Sequence, residues 1–393
     1  YFLNTTAGTI TINLPAGAAG SIVSMADYAG TWQTNAVTIT PNGSDKIGSL
    51  NQNATLSTEG QSVTFVYVDS TQGWINTMDS TSNVRGTTGF IMATVSGVCN
   101  TLVTAPCCAN AKIATFIGPG TFTVCSVANP SVNNEVSYLV VAGGGGGGTC
   151  RSAGAGAGGF RENKSPVTPY TASPLNGSTP ITVTASSYPI IVGGGGAGST
   201  CRAIVGASGN ISSYSTITSA GGGGGASDGA PAGISGGSGG GGGNGGPKGV
   251  GNDPATPIAQ GFDGGDSACG NGGGGGGGAT AVGGNQAGSG ACTSGVGGAG
   301  GGTLINPATG ETSGGSQYYA GGGGGGNILT PGARDGGLGG GGDGKGGDPA
   351  SPDTGGAGGI NTGGGGGGVG GPTGDVAGGL GGSGIVIIRY KFQ

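Results

Sequence analysis

Asp253, Asp263 and Asp266 form a close set of carboxylates in a 393-residue chain that ionises little else: Lys, Arg, Asp and Glu make up 7% of it. Two carboxylates placed across a glycosidic bond can hydrolyse it, but nothing in the sequence frames a cleft around these three. Histidine is absent, which removes the commonest general acid/base and a favoured metal ligand. The eight cysteines (Cys99, Cys107, Cys108, Cys125, Cys150, Cys201, Cys269 and Cys292) include no CxxC pair, so a zinc site is a poor reading. Disulfides fit them better outside a reducing cytosol, with a local one expected among Cys99, Cys107, Cys108 and Cys125. The other reading is that several are free and buried as small hydrophobes. The Asp/Gly stretches at 261–270 and 336–349 lack the nonapeptide period of calcium-binding repeats. GxGxxG matches abound, but none has the strand–turn–helix setting of a dinucleotide site. The chain is expected to be no enzyme, with no cofactor and no metal.

The elements that would carry any other chemistry are β-strands and glycine runs. Thr/Val/Ile/aromatic runs such as "GSIVSMAD", "NAVTITPNGS" and "QSVTFVYVD" alternate in and out and are punctuated by Gly, Asn, Pro and Asp, which reads as a small β-sandwich-like domain over 1–78. Its Trp32, Phe65, Tyr67 and Trp74 are expected in a core, with sugar stacking as the alternative. A connector over 79–134 carries the cysteine cluster, and its "KIATFIGPGTFTVCSV" predicts a hairpin turning at Gly118-Pro119-Gly120. From 135 to 393 strand-like pieces at 135–142, 181–192, 211–219 and 385–392 alternate with glycine runs. The fold class is all-β with essentially no α-helix. Lys and Arg are few and scattered and the net charge is −5, so nucleic acid is not an expected partner. No apolar run approaches the ~18 residues of a membrane span. The opening on Tyr1 rather than Met suggests a fragment or a processed product.

Of the 393 residues, 107 are glycine. A flexible linker is the default reading of such composition. Against it, the runs recur with similar length, strongly apolar strands bound them, and polar Pro-containing loops separate them. Polyproline-II geometry supplies an ordered alternative, with three residues per turn and ~3.1 Å rise. Such a coil has no internal hydrogen bonds, so packed glycine rods can bond laterally through bare peptide groups, each bond worth ~0.5–1.5 kcal/mol net. A Cβ would hold the backbones apart. Collagen is excluded, because no strict Gly-X-Y period is present.

The ordered set "FIGPGTFTV" (116–124), "SYLVVAGGGGGG" (137–148), "YPIIVGGGGAG" (188–198), "STITSAGGGGG" (215–225) and "GGSGIVIIRY" (381–390) resembles the glycine-rich distal domain of bacteriophage tail fibres, and residues 1–78 resemble a small β domain that recurs along such fibres. The related phage adhesins imply a bundle of polyglycine-II helices whose loops contact a receptor on the host bacterium, a glycan or an outer-membrane component. This chain departs from them in placing strands between runs. The resemblance further implies a homotrimer, other tail-fibre or baseplate proteins as partners, and a place on the virion outside the cell. The alternative is an extracellular structural or ice-binding glycine-rich protein.

If rods pack side by side, the loops joining them hold the chemical variety. Segments 247–269, 303–320 and 327–335 are the candidates, with Phe262, Asp263, Gln317, Tyr318, Tyr319, Arg334 and Asp335 as receptor-binding residues. A second reading has Tyr318 and Tyr319 covering the end of a rod and Arg334–Asp335 forming a local ion pair. The strands at 135–142 and 385–392 are expected in one sheet, so the crossings between them must be even in number. Taking each glycine run as one crossing puts 247–269 and 303–320 at the far end and 327–335 at the near end.

Overall fold

The computed structural model describes residues 1–79, 90–106, 110–128, 131–268, 270–288, 292–328, 334–346, 354–371 and 376–393. The chain divides into two compact units, Tyr1–Gly89 and Phe90–Gln393. Among the described residues, strands account for the regular structure, with one 3-10 turn at Ser131–Asn134.

The first unit contains β1 (Phe2–Leu3), β2 (Ile10–Asn13), β3 (Ile22–Asp27), β4 (Val37–Thr40), β5 (Ala54–Leu56), β6 (Ser62–Asp69) and β7 (Gly73–Asp79). They form a four-stranded sheet ordered β1-β3-β6-β7 and a three-stranded sheet ordered β2-β4-β5. Alternation along β6 buries Val63, Phe65 and Tyr67, which join Leu14, Trp32, Val37, Ile39 and Trp74 in one core. All four aromatics singled out above are core residues, and Tyr67 meets Trp74 edge-on at 5.5 Å between centroids.

The second unit begins with β8 (Met92–Val95), β9 (Thr101–Thr104), β10 (Ala111–Phe116), β11 (Gly120–Ser126) and β12 (Glu135–Val141). There follow β13 (Phe160–Asn163), β14 (Ile181–Thr182), β15 (Ser187–Ile191), β16 (Ser212–Tyr214) and β17 (Ile217–Ser219). The last are β18 (Gly301–Thr303), β19 (Glu311–Ser313), β20 (Ser316–Tyr319) and β21 (Ile385–Lys391). One sheet is ordered β13-β12-β21-β10-β9, with β14 also on β12; a second is ordered β17-β16-β15-β11-β8. The separate 79–134 connector therefore gives way, because its strands β8–β11 are members of these two sheets. The expected hairpin also fails: β10 pairs with β21 and β9, whereas β11 pairs with β15 and β8. The chain changes sheet at Gly118–Gly120, where Asn100 accepts from the Ile117 and Gly118 N–H groups and donates to the Pro119 carbonyl. Cys99 and Cys125 are free thiols, so no disulfide joins them; Cys107, Cys108 and Cys269 lie outside the described residues.

β12 and β21 lie in one sheet, as expected of the two ends of the glycine-rich segment, and there they are direct antiparallel neighbours. Both faces of their sheet are covered, which is why they read as unbroken apolar runs rather than alternating ones. Tyr138, Val140, Val386 and Ile388 face Phe116, Phe122 and Tyr214. Leu139, Val141, Ile385 and Ile387 face Phe160, Ile305 and Tyr319.

Beyond β12 the glycines build a second core. In the rod at 143–148 the N–H groups of Gly143 and Gly146 donate to rod 205–210, those of Gly144 and Gly147 to rod 377–384, and those of Gly145 and Gly148 to rod 153–159. Its carbonyls accept from rods 193–199, 220–226 and 363–370. The repeat is three residues, the period of the polyglycine-II coil, and six neighbours surround the rod. Rod 153–159 is held in the same way by rods 143–148, 220–226, 238–243, 272–278, 320–326 and 363–370. A Cβ built on Gly147 would stand 2.0 Å from the Gly367 carbonyl oxygen, and on Gly145 2.3 Å from that of Gly223.

Glycine runs of six or more lie inside this lattice. Rods at its perimeter carry another residue at every third position, and that residue faces out: Thr354, Ala357 and Ile360 on one, Ala377, Leu380 and Ser383 on the next, Thr293, Val296 and Ala299 on a third. Ile360 is 79% exposed and Leu380 60%. This threefold spacing is present in the sequence and marks which rods are peripheral.

A buried carboxyl sits between the sheets and rods. Glu162 is fully buried, accepting from the Ser173 N–H at 2.9 Å and the Thr303 hydroxyl at 2.6 Å. Burial pushes its pKa above 4.5 despite the pull of these donors in the other direction. Folded protein therefore holds the proton more tightly than the unfolded chain. The stability this supplies is complete below pH 4.5 and is lost as pH rises through the folded pKa. Between pH 4.5 and neutrality the melting temperature of the second unit should fall more, or rise less, with pH in the wild type than in Glu162→Gln.

Candidate recognition surface

The rods have an anchor end, where the sheets lie, and a tip opposite. At the tip the turn after Gly148 places Cys150 and Arg151 at positive φ (57° and 45°). Arg151 Nη1 lies 3.9 Å from Asp228, and Arg202 forms an ion pair with the same carboxylate. The Asp228 side chain is 6% exposed, while those of Arg151 and Arg202 are 38% and 50% exposed. One buried carboxylate thus orients two half-exposed guanidiniums, and it raises the pKa of Arg202 further. Asn244 ties the cluster to the next turn by donating from its side chain to the Asp228 carbonyl and from its backbone N–H to that of Arg151. Neither Arg151 nor Arg202 was singled out from sequence; each is a lone arginine, and only the lattice brings the two turns together.

The sequence candidates fall into three separate places. Gln317, Tyr318 and Tyr319 lie on β20 at the anchor end. Tyr319 is fully buried, with its hydroxyl donating to the Thr309 carbonyl at 2.8 Å. Gln317 is buried too and donates to the Pro307 carbonyl. These two side chains are sealed away from a macromolecular ligand; Tyr318 is half-buried across from Gly302. Phe262 and Asp263 begin the rod at 261–267, and both are half-buried. Asp263 is a fastener: it accepts from the Gly251 N–H at 2.9 Å and stands 3.4 Å from Lys248 Nζ. Arg334 is at the tip, with its backbone bonded in both directions to Gly344, and Asp335 beside it is exposed. No ion pair joins them among the described residues.

The end assignments need correction. Segment 303–320 is at the anchor end, where Ile305 packs with Leu139 and Ile387, and where the fully buried Arg389 donates to the Ile305 and Pro169 carbonyls. Segment 327–335 starts at the tip, where Asn327 pairs with Gly272 and Gly346. Segment 247–269 runs from tip to anchor and back, since Gly249 bonds Gly240, Gln260 bonds Phe160, and Gly245 bonds the Ser267 hydroxyl. Parity failed because rods 205–210, 246–251 and 261–267 run through stretches that read as loops, and because some glycine runs hide a turn. Gly339 and Gly340 take φ of +108° and +86° and donate to Glu311, reversing the chain inside "GLGGGG". Ala287 pairs with Thr293, so 283–301 is two rods.

Cys292 is disulfide-bonded. Among the described residues no group of three or more His, Cys, Asp or Glu is placed to hold a metal ion, and no helix is long and apolar enough to cross a membrane. No curated protein is similar enough to be matched to the chain. A family model described as a glycine-rich domain matches residues 117–391. That span holds every rod and all but the first strands of the second unit, and the chain belongs to this glycine-rich domain family.

Proposed function

We propose that the chain is a receptor-binding component of a bacteriophage tail fibre, attaching to a bacterial surface glycan or outer-membrane protein through the turns at the tip of the rod lattice. The observation that carries this reading is the Arg151–Asp228–Arg202 cluster, which holds two half-exposed guanidiniums on a rigid support at the end away from the sheets. A planar guanidinium pair suits carboxylate or phosphate groups on a surface polymer. Arg334 and Asp335 extend the same end. The part played is adhesion rather than catalysis, and the resemblance to fibre tips favours a homotrimer on the virion, joined to other fibre or baseplate proteins, where several weak contacts act together.

Fluorescently labelled protein should coat a susceptible bacterial strain and spare a resistant one, and Arg151→Ala with Arg202→Ala should reduce the bound signal about ten-fold or more. Coating of both strains alike, or an unchanged signal in the double variant, would overturn the assignment. One observation favours the second reading, an ice-binding protein. Rods 193–199, 377–384 and 355–359 lie side by side and present an uncharged array of Ala197 and Thr200, Ala377, Leu380 and Ser383, and Thr354, Ala357 and Ile360, repeating every ~9 Å along each rod. Thermal hysteresis in freezing solutions, abolished by Leu380→Lys, is its distinguishing result.

A further inference from the structure

The interior rods 143–148, 272–278, 321–326 and 363–368 are glycine throughout, whereas the rods at the perimeter keep a side chain on the phase that faces out. Rods 193–199, 377–384 and 355–359 form one flat row, in which Gly378 bonds Ser199 and Gly355 bonds Ala377. At mid-height their outward residues are Ala197, Leu380 and Ala357, all exposed. On the opposite side of the lattice Val250, Val282 and Val296 are exposed in the same manner. The one inward corner, between rods 205–210 and 232–236, is plugged by Ile234 from one wall and by Val205 and Ser208 from the other, as the threefold coil directs. Hydrogen-bonding capacity nevertheless remains on the flat row. Among the described residues the N–H groups of Ala197, Ala357 and Leu380 donate to no acceptor, and the carbonyls of Gly195, Gly198 and Gly381 accept from no donor. What the row lacks is approach. Inside the lattice a Cβ on Gly147 would stand 2.0 Å from a neighbouring carbonyl oxygen, so a single outward methyl group is enough to hold a further rod out of bonding range.

We infer that the outward side chains are stops that keep the lattice from growing by accretion of a second copy, and that a chain stripped of them on the flat row joins another copy through that row. Sheets guard their open edges with charge, proline and bulges; this lattice guards its faces with a Cβ at every third residue. Replacing Ala197, Ala357, Ala377 and Leu380 by glycine would leave three adjacent rods of about six bare residues each, or two turns of the coil. The bared row carries free donors and free acceptors together, so it is complementary to itself and suits a twofold contact. The match comes from peptide groups rather than from apolar surface. Alanine is therefore as good a stop as leucine, and a polar side chain as good as either.

The test compares whole chains by sedimentation velocity over a concentration series. The combined variant Ala197→Gly, Ala357→Gly, Ala377→Gly and Leu380→Gly should reach double the sedimenting mass of the wild type as concentration rises. The matched variant with serine at the same four positions loses the leucine but keeps every Cβ, and it should stay at the wild-type mass. Restoring Leu380 alone in the glycine variant should also return it to the wild-type mass, because the stop then stands on the middle rod. Amide protection of Gly144 and Gly147 reports that the lattice is intact. If the four substitutions together remove that protection, the pair Ala197→Gly with Leu380→Gly, which bares two adjacent rods, is measured instead and should also associate. The inference fails if the folded glycine variant keeps the wild-type mass at every concentration. It fails equally if the serine variant associates as well.

Discussion

Gly147→Ala is expected to abolish cooperative folding of the second unit, whereas Gly194→Ala is expected to be neutral or to stabilise it slightly. The two glycines sit in adjoining parts of the same lattice and differ in what surrounds them. A Cβ at 147 would stand 2.0 Å from the Gly367 carbonyl oxygen and close to that of Gly366. Backbone on both sides must then separate, and the bonds from Gly147 to Gly379 and from Ser199 to Gly147 go with it. Overpacking an ordinary core costs ~1–3 kcal/mol because side chains can shift. Here the obstacle is main chain, and a loss of ~4 kcal/mol or more is expected. At 194 the nearest atom is the Asn210 amide nitrogen at 3.7 Å. A methyl group fits there, and reduced freedom of the unfolded chain contributes ~0.4–1 kcal/mol. Thermal unfolding monitored by amide exchange of residues 143–148 separates the outcomes. Similar destabilisation by both substitutions would mean that side-chain exclusion does not govern the lattice.

Ending the chain after Gly382 is the second change of large effect. It deletes β21, which lies between β12 and β10 and supplies Ile385, Val386, Ile387, Ile388 and Tyr390 to the cores on both faces of the sheet. Two strand edges are left open, and the buried polar partners of Arg389 lose their donor. No compact second unit is expected to form. The first unit has its own core, and both tryptophans of the chain, Trp32 and Trp74, are in it. Tryptophan fluorescence should therefore show an unchanged unfolding transition in the truncated protein, while protection of the rod amides is lost. Retained protection in the rods would show that the lattice stands without its closing strand.

The strands that carry a local signal were legible in the sequence. "SVTFVYVD" alternates because one face is buried, and "GIVIIRY" is unbroken because both are. What stayed hidden depends on partners far along the chain. Nothing near Gly118–Gly120 reveals that the strands on either side diverge, because their partners, β21 and β15, lie elsewhere in the sequence. "FREN" at 160–163 carries no apolar alternation, yet it is a strand with a buried carboxyl. Tyr319 is legible as an aromatic and illegible as a core residue until Ile305 and Phe160 arrive beside it. The tip cluster was missed for the same reason: Arg151 and Arg202 share a carboxylate only after the chain has run up and down the lattice. The perimeter rods were within reach, since every third residue announces which way they face, but a glycine run containing a reversal looks like one that has none.

Identical units confer a translational degeneracy on the interior. A rod of pure glycine displaced along its axis by one turn would make the same bonds to the same neighbours, so its middle cannot tell one alignment from another. Alignment must be imposed from the ends, by side chains that recognise a particular peptide group. Ser152 Oγ both accepts from the Val369 N–H and donates to its carbonyl, Ser294 Oγ donates to the Gly326 carbonyl, and Gln260 Oε1 accepts from the Ala220 N–H. These few hydroxyls and amides act as detents. Insertions in the turns are tolerable only where they leave a detent in place.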